Sequence, residues 1–210
     1  MLNADYNLRY DSLAPAFNEQ LKMQLKNPIT YINTFDSLSK YIKINVSADK
    51  IIKFYSWNDL TGGTWNNIKC IAQFKSQSGN IIVQQLNTEG DSIIADFTDS
   101  GVYDVYDIII DTKKYYLTFA WGTHGNGHQH IIVQIFSILS DKLEKCKSCF
   151  EKSNDLIIEY PRATNINIEF NSKTNTITYM EFKKDEMDGI FTPTGRKINL
   201  ELVNGVFLSR

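Results

Sequence analysis

The spacing of apolar and polar positions changes period once along this chain, and the change divides it in two. Leu13, Phe17, Leu21 and Leu25 recur every four residues, which puts them on one face of a helix from about Asp11 to Lys26. Asp11 or Ser12 can cap its start, and Asn27-Pro28 stops it. Pro15 falls in the first turn, where the missing N–H has no partner to lose. A second short helix is expected from Thr34 through Phe35, Leu38 and Tyr41. The stripe is narrow, so residues 1–41 are expected as an N-terminal helical segment packed on a sheet.

From Ile42 onward the period is two. Ile42, Ile44 and Val46 alternate with polar residues, and Ile68, Cys70, Ala72 and Phe74 line one side of a later run. Comparable runs follow at Ile51–Trp57, Asn80–Leu86, Val105–Ile110, Tyr115–Trp121, His130–Ile138, Leu156–Tyr160, Asn165–Phe170, Thr176–Phe182 and Lys197–Val203. Hairpin-sized connections such as Asp111-Thr112-Lys113-Lys114 join them, and no strand leads into a crossover helix. The fold class is therefore mainly β. An antiparallel meander over residues 42–210 forms a sandwich, an open barrel or a propeller-like sheet. The strands group into three loose modules, about 42–90, 103–147 and 155–208, each near the length of a four-stranded blade. Three blades would not close a propeller, which favours a sandwich or open barrel.

The composition is that of an ordinary globular protein, with 42% hydrophobic and 22% charged residues. A net charge of −2 and scattered lysines argue against nucleic acid, whose binders need a cationic face. No apolar run approaches the roughly 20 residues that span a bilayer. The start, Met1-Leu2-Asn3-Ala4-Asp5, lacks the basic and apolar regions of a signal peptide. A cytoplasmic chain and a mature secreted one both fit. Of the cysteines, Cys70 alternates with apolar neighbours and reads as buried. Cys146 and Cys149 are spaced as in redox motifs, but their flanks do not form a βαβ unit, so free thiols or a small local disulfide are expected.

Phe54-Tyr55-Ser56-Trp57-Asn58-Asp59-Leu60-Thr61-Gly62-Gly63-Thr64-Trp65 reads as a strand ending in a turn, bracketed by two tryptophans. Such rings anchor cores or stack on ligands. The segment is similar to a Tyr-Ser-Trp-Asp motif, followed by a Thr-Gly-Gly-Thr turn, in uncharacterised envelope-associated proteins of the Bacteroidetes. The Phe35–Leu38 lead-in is similar too. Here Asn58 stands where aspartate is expected and Trp65 where methionine is. The resemblance covers residues about 10–90 and implies a secreted or periplasmic setting; it implies no activity and no catalytic residues.

All three histidines fall in one window, His124, His128 and His130, around Gly125-Asn126-Gly127. On a strand His128 and His130 would share a face, and His124 could oppose them across a hairpin mouth, an arrangement able to hold zinc. The local sequence supplies no carboxylate between Asp111 and Asp141 to act as base or to orient a ring. A second candidate is Asp96–Asp107, which matches a calcium loop in outline through Asp96, Thr98, Ser100 and Asp104, with Gly101 and a final Asp107. Its third and fifth positions are hydroxyls and its last acid is the shorter aspartate. With the setting that the resemblance implies, the loop aromatics point first to a non-catalytic binding module of the cell envelope, which presents Trp57, Asn58, Trp65 and Trp121 to a glycan or a protein. The competing class is a metal-assisted hydrolase centred on the three histidines.

Overall fold

The computed structural model describes residues 2–61, 66–86, 99–123 and 127–210, with side chains described from residue 13 onward. The helical segment comprises α1 (Leu2–Leu25), α2 (Pro28–Ile32) and a 3-10 turn at Leu38–Lys40. The first helix thus begins earlier than the apolar spacing indicates. Asn27-Pro28 ends one helix and opens the next: the Asn27 side chain accepts from the Ile29 N–H, and proline occupies the first turn. The helix expected from Thr34 is reduced to that single 3-10 turn.

Among the described residues three antiparallel sheets follow, two of four strands and one of five. The first sheet holds β1 (Lys43–Val46), β2 (Ile52–Asn58), β3 (Ile68–Lys75) and β4 (Ile81–Gln85). The second holds β5 (Ser100–Ile110), β6 (Lys113–Thr123), β7 (His128–Leu139) and β8 (Lys142–Lys145), and β9 (Leu156–Pro161) pairs with the free length of β7. The third holds β10 (Ile168–Asn171), β11 (Thr176–Lys184), β12 (Phe191–Val203) and β13 (Val206–Ser209). Each corresponds to one of the modules visible in the sequence, with β9 reassigned to the middle sheet.

Alternation decides how these sheets stack. Ile52, Phe54, Cys70, Ala72 and Phe74 of the first sheet pack on Val102, Val105, Tyr116, Ala120 and Phe136 of the second. The other face of the first sheet, with Tyr55, Trp57 and Ile71, is covered by Leu21 and Leu25 of α1. The opposite face of the second sheet, with Leu117, Phe119, Ile131, Val133 and Ile135, meets Ile177, Leu200 and Phe207 of the third. The layers therefore run helix, first sheet, second sheet, third sheet. A buried amide fixes the helix end to its sheet. Gln73 accepts from the Tyr55 hydroxyl at 2.9 Å and donates to the Leu25 carbonyl at 2.7 Å and the Thr30 hydroxyl at 2.9 Å. All three partners are satisfied, so the amide specifies docking without an unpaired polar group. No helix among the described residues is long and apolar enough to cross a membrane.

The first two sheets are also joined by charge. Asp107 of β5 accepts from the Ala48 and Asp49 N–H groups at 3.0 Å each, and Lys114 bridges Asp107 at 2.7 Å and Asp49 at 3.1 Å. Burial raises the Asp49 carboxyl, but hydrogen bonds from Ser47, the Ile51 N–H, Lys114 and Tyr116 outweigh it and hold the group below the usual carboxylate value.

Candidate functional site

The end of the second sheet where β6 turns toward β7 gathers most of the unusual polar chemistry. Strand register puts Ser100, Gly122, His130 and Glu159 in one row across β5, β6, β7 and β9. Because residue 122 is glycine, the imidazole of His130 lies over it and reaches Ser100. The Ser100 hydroxyl and His130 Nε2 share a hydrogen bond of 2.7 Å. His130 is fully buried and Ser100 nearly so. A loop from the first sheet closes on the same end, the Asn66 N–H donating to the Thr123 hydroxyl at 2.8 Å.

The other face of that end is aromatic. A bulge at Tyr103 shifts the register between Val102 and Asp104, and beyond it Asp104 and Tyr106 share the face that looks toward the third sheet. The Tyr106 hydroxyl donates to Asp104 at 2.6 Å, and its ring meets Phe119 and Phe170 edge-on at 5.7 and 5.1 Å. Burial, reinforced by the Asp104 carboxylate, pushes the Tyr106 phenol up to about 12. Burial raises Tyr103 as well, with Tyr160, Asp104 and Tyr106 adding to it. Tyr160 is raised by burial and drawn partly back by the Trp121 indole N–H. Trp121 donates to Gln129 at 2.7 Å, and Gln129 donates in turn to the Arg162 carbonyl at 2.7 Å. All these phenols stay protonated at neutral pH, so the array offers hydroxyl, indole and amide groups beside one carboxylate.

Among the residues singled out by sequence, Trp57 and Trp121 lie in different layers. Trp57 is buried under α1, its ring met edge-on by Phe17 at 5.3 Å. Asn58 is half-buried and its side chain accepts from the Leu60 N–H, which makes the turn. Trp121 is half-buried on the face toward the third sheet. Trp65 and His124 lie outside the described residues. The His128 ring meets Phe191 edge-on at 5.0 Å, while His130 turns to Ser100. Among the described residues no group of three or more His, Cys, Asp or Glu side chains is placed to hold a metal. Asp96 and Thr98 of the calcium-like stretch lie outside the described residues. From Ser100 to Asp107 that stretch is strand β5, with Asp104 toward the third sheet and Asp107 tied to the first.

The sequence does not single out Tyr103, Tyr106, Gln129 or Tyr160, and it offers Asp104 only as a calcium ligand, whereas here that carboxylate accepts from Tyr106. Their aromatic and polar character was visible, but the bulge that gathers them was not. Cys146 and Cys149 form a disulfide, and Cys70 is a buried free thiol. Comparison with family models, with curated proteins and with solved structures finds no match to this chain.

Proposed function

We infer that the protein is a non-catalytic binding module of the cell envelope whose ligand, a glycan or a protein, contacts the aromatic array around Trp121. The observation that carries this reading is the grouping of Tyr103, Tyr106, Trp121 and Tyr160 with Asp104 and Gln129 on one face. Flat aromatic faces beside oriented hydroxyl, amide and carboxylate groups match the alternation of apolar and hydroxyl surface on a sugar ring. They serve a protein side chain equally well. The envelope setting is supported by the motif resemblance and by the Cys146–Cys149 disulfide, which suits an oxidising compartment. The test is tryptophan emission against a glycan panel and against envelope protein fractions. A true ligand changes the emission of wild-type protein, and the change disappears in Trp121→Phe. A panel without response removes the sugar version, and a response unchanged in Trp121→Phe removes this array as the site.

One observation favours a second reading, a metal-assisted hydrolase centred on His124, His128 and His130. Glu159 stands directly across from His130 in the strand register, so β9 brings the carboxylate that the local sequence lacks. Ser100 at His130 Nε2 opposes it, because it occupies one of the two ring nitrogens through which a metal could be held. Stoichiometric zinc in purified protein, lost in a His128→Ala/His130→Ala double variant, would favour this reading. Metal-free protein whose stability does not change with added zinc would end it.

A further inference from the structure

We propose that a cleft at the open end of the third sheet binds a short apolar peptide with free, charged termini. The site is separate from the aromatic array and does not depend on it. Two-residue alternation puts Tyr179 and Glu181 of β11, Arg196, Ile198 and Leu200 of β12, and Phe207 and Ser209 of β13 on one face, with Tyr179 opposite Ile198 and Leu200 opposite Ser209. Leu200 and Phe207 of this face lie in the core, and Tyr179 and Ile198 are half-buried against it. Opposite this face is the segment from Phe150 to Leu156, and about 320 Å³ lies between them. That volume is at the small end of the range for ligand pockets, about 300–1,000 Å³.

The wall is built before any ligand arrives. The Phe207 N–H donates to the Cys149 carbonyl at 2.8 Å, and the Glu151 N–H donates to the Phe207 carbonyl at 3.3 Å. Phe150 and Phe207 stack with ring centroids 5.6 Å apart, and the Cys146–Cys149 disulfide closes the preceding turn. A preformed wall spares a ligand the entropy of ordering it.

Two features specify a peptide. The first is the backbone of β13. Phe207 turns its N–H and C=O away from β12 to reach residues 149 and 151, and alternate residues of a strand turn the same way. Ser209, two residues on, therefore directs its own N–H and C=O toward the cleft, where the paired segment has already diverged. The second feature is charge. The mouth carries two acids and two bases, Glu151, Glu181, Lys152 and Arg196, around a floor of Phe150, Ile198 and Leu200. Arg196 is largely exposed and meets Glu181 only at 3.7 Å, and Glu181 already accepts from Thr194. Neither Glu151 nor Lys152 has an ion-pair partner among the described residues. A simple anion would meet two carboxylates there, and a simple cation would meet two bases. A zwitterion with an apolar body matches both signs.

The experiment titrates the free dipeptide Leu-Phe into isotope-labelled protein and follows backbone amide shifts. Saturable shifts centred on Phe207 and Ser209 are expected, with affinity about tenfold weaker in Arg196→Gln or for the N-acetylated, C-amidated peptide, the scale of one lost charge-assisted contact. Ile198→Trp fills the floor and should abolish the shifts while the rest of the spectrum stays native. If that variant does not fold, the exposed Arg196→Gln decides alone. Absence of saturable shifts at millimolar peptide overturns the proposal. So does equal binding of the blocked peptide, which would point to a segment of a protein instead, and so does binding unchanged in Arg196→Gln.

Discussion

Gly122 shapes the second sheet by what it lacks. A Cβ there would stand 2.4 Å from His130 Nε2 and 2.5 Å from the Asp99 carbonyl oxygen, so neither side chain nor backbone has room to give. Gly122→Ala should therefore lower stability by about 3 kcal/mol, the upper end of the overpacking range. Urea denaturation measures this, and a variant as stable as the parent would mean that the Ser100–His130 row can spread. A different residue sets the response to acid. The carboxyl of Asp49 lies below its ordinary value of 3.8 in the folded chain, so its ionised form stabilises the fold above the unfolded value. That contribution is lost as pH falls through the folded value. Lys114 runs the other way: burial lowers it, but Asp107 and Asp49 raise it above 10.5, so its contribution is lost only in strong alkali. The urea midpoint should fall as pH drops below about 4 and should fall less steeply in Asp49→Asn. Parallel curves for the two proteins would remove Asp49 as the acid-sensitive group.

Elements differ in how plainly the chain announces them. The long central strands β6 and β7 show in the alternation of Leu117 and Phe119, then of Ile131, Val133 and Ile135, because the middle of one face of each is apolar. Strand β8 does not, since Lys142-Leu143-Glu144-Lys145 buries Leu143 alone. Strand β13 is announced by the turn before it rather than by its own alternation. Asn204 and Gly205 both have positive φ, 49° and 84°, the signature of a two-residue hairpin turn, and Asn-Gly is its commonest sequence. The pairing of Ser100 with His130 had no signal at all. It reaches from β5 across β6 to β7 and depends on a bulge that only the folded register reveals. The segment after β8 is held by the disulfide, whose cysteines are three positions apart. Closing so small a loop removes little unfolded-state entropy, so a Cys146→Ala/Cys149→Ala variant should lose only about 2 kcal/mol. Denaturation of the variant and of reduced parent protein should agree. A much larger loss in the variant would mean that packing of Cys149 against the core matters more than the crosslink.

Stacking the layers in sequence order makes the middle sheet the most protected part of the molecule. Its strands are covered by the first sheet on one face and by the third on the other, and the cores of β6 and β7 are almost continuously buried. The third sheet is packed on one face only. Its strand β10 has no buried residue, and β12 is buried mainly at Phe191 and Leu200. The first sheet is packed on both faces, but one of its covers is a single helix anchored by Leu21 and Leu25. Opening the third sheet would expose the aromatic array without disturbing the contacts between the first two sheets. Stability should therefore be graded rather than uniform. In native-state hydrogen exchange, amides of residues 116–120 and 131–136 should exchange only through global unfolding, while those of residues 168–209 exchange through a smaller opening of lower free energy. Phe207→Ala should lower that smaller free energy and the global one together, because Phe207 lies in the shared core. Uniform protection across the second and third sheets would show that the two behave as one cooperative unit, and the aromatic array would then have to accept ligand without local opening.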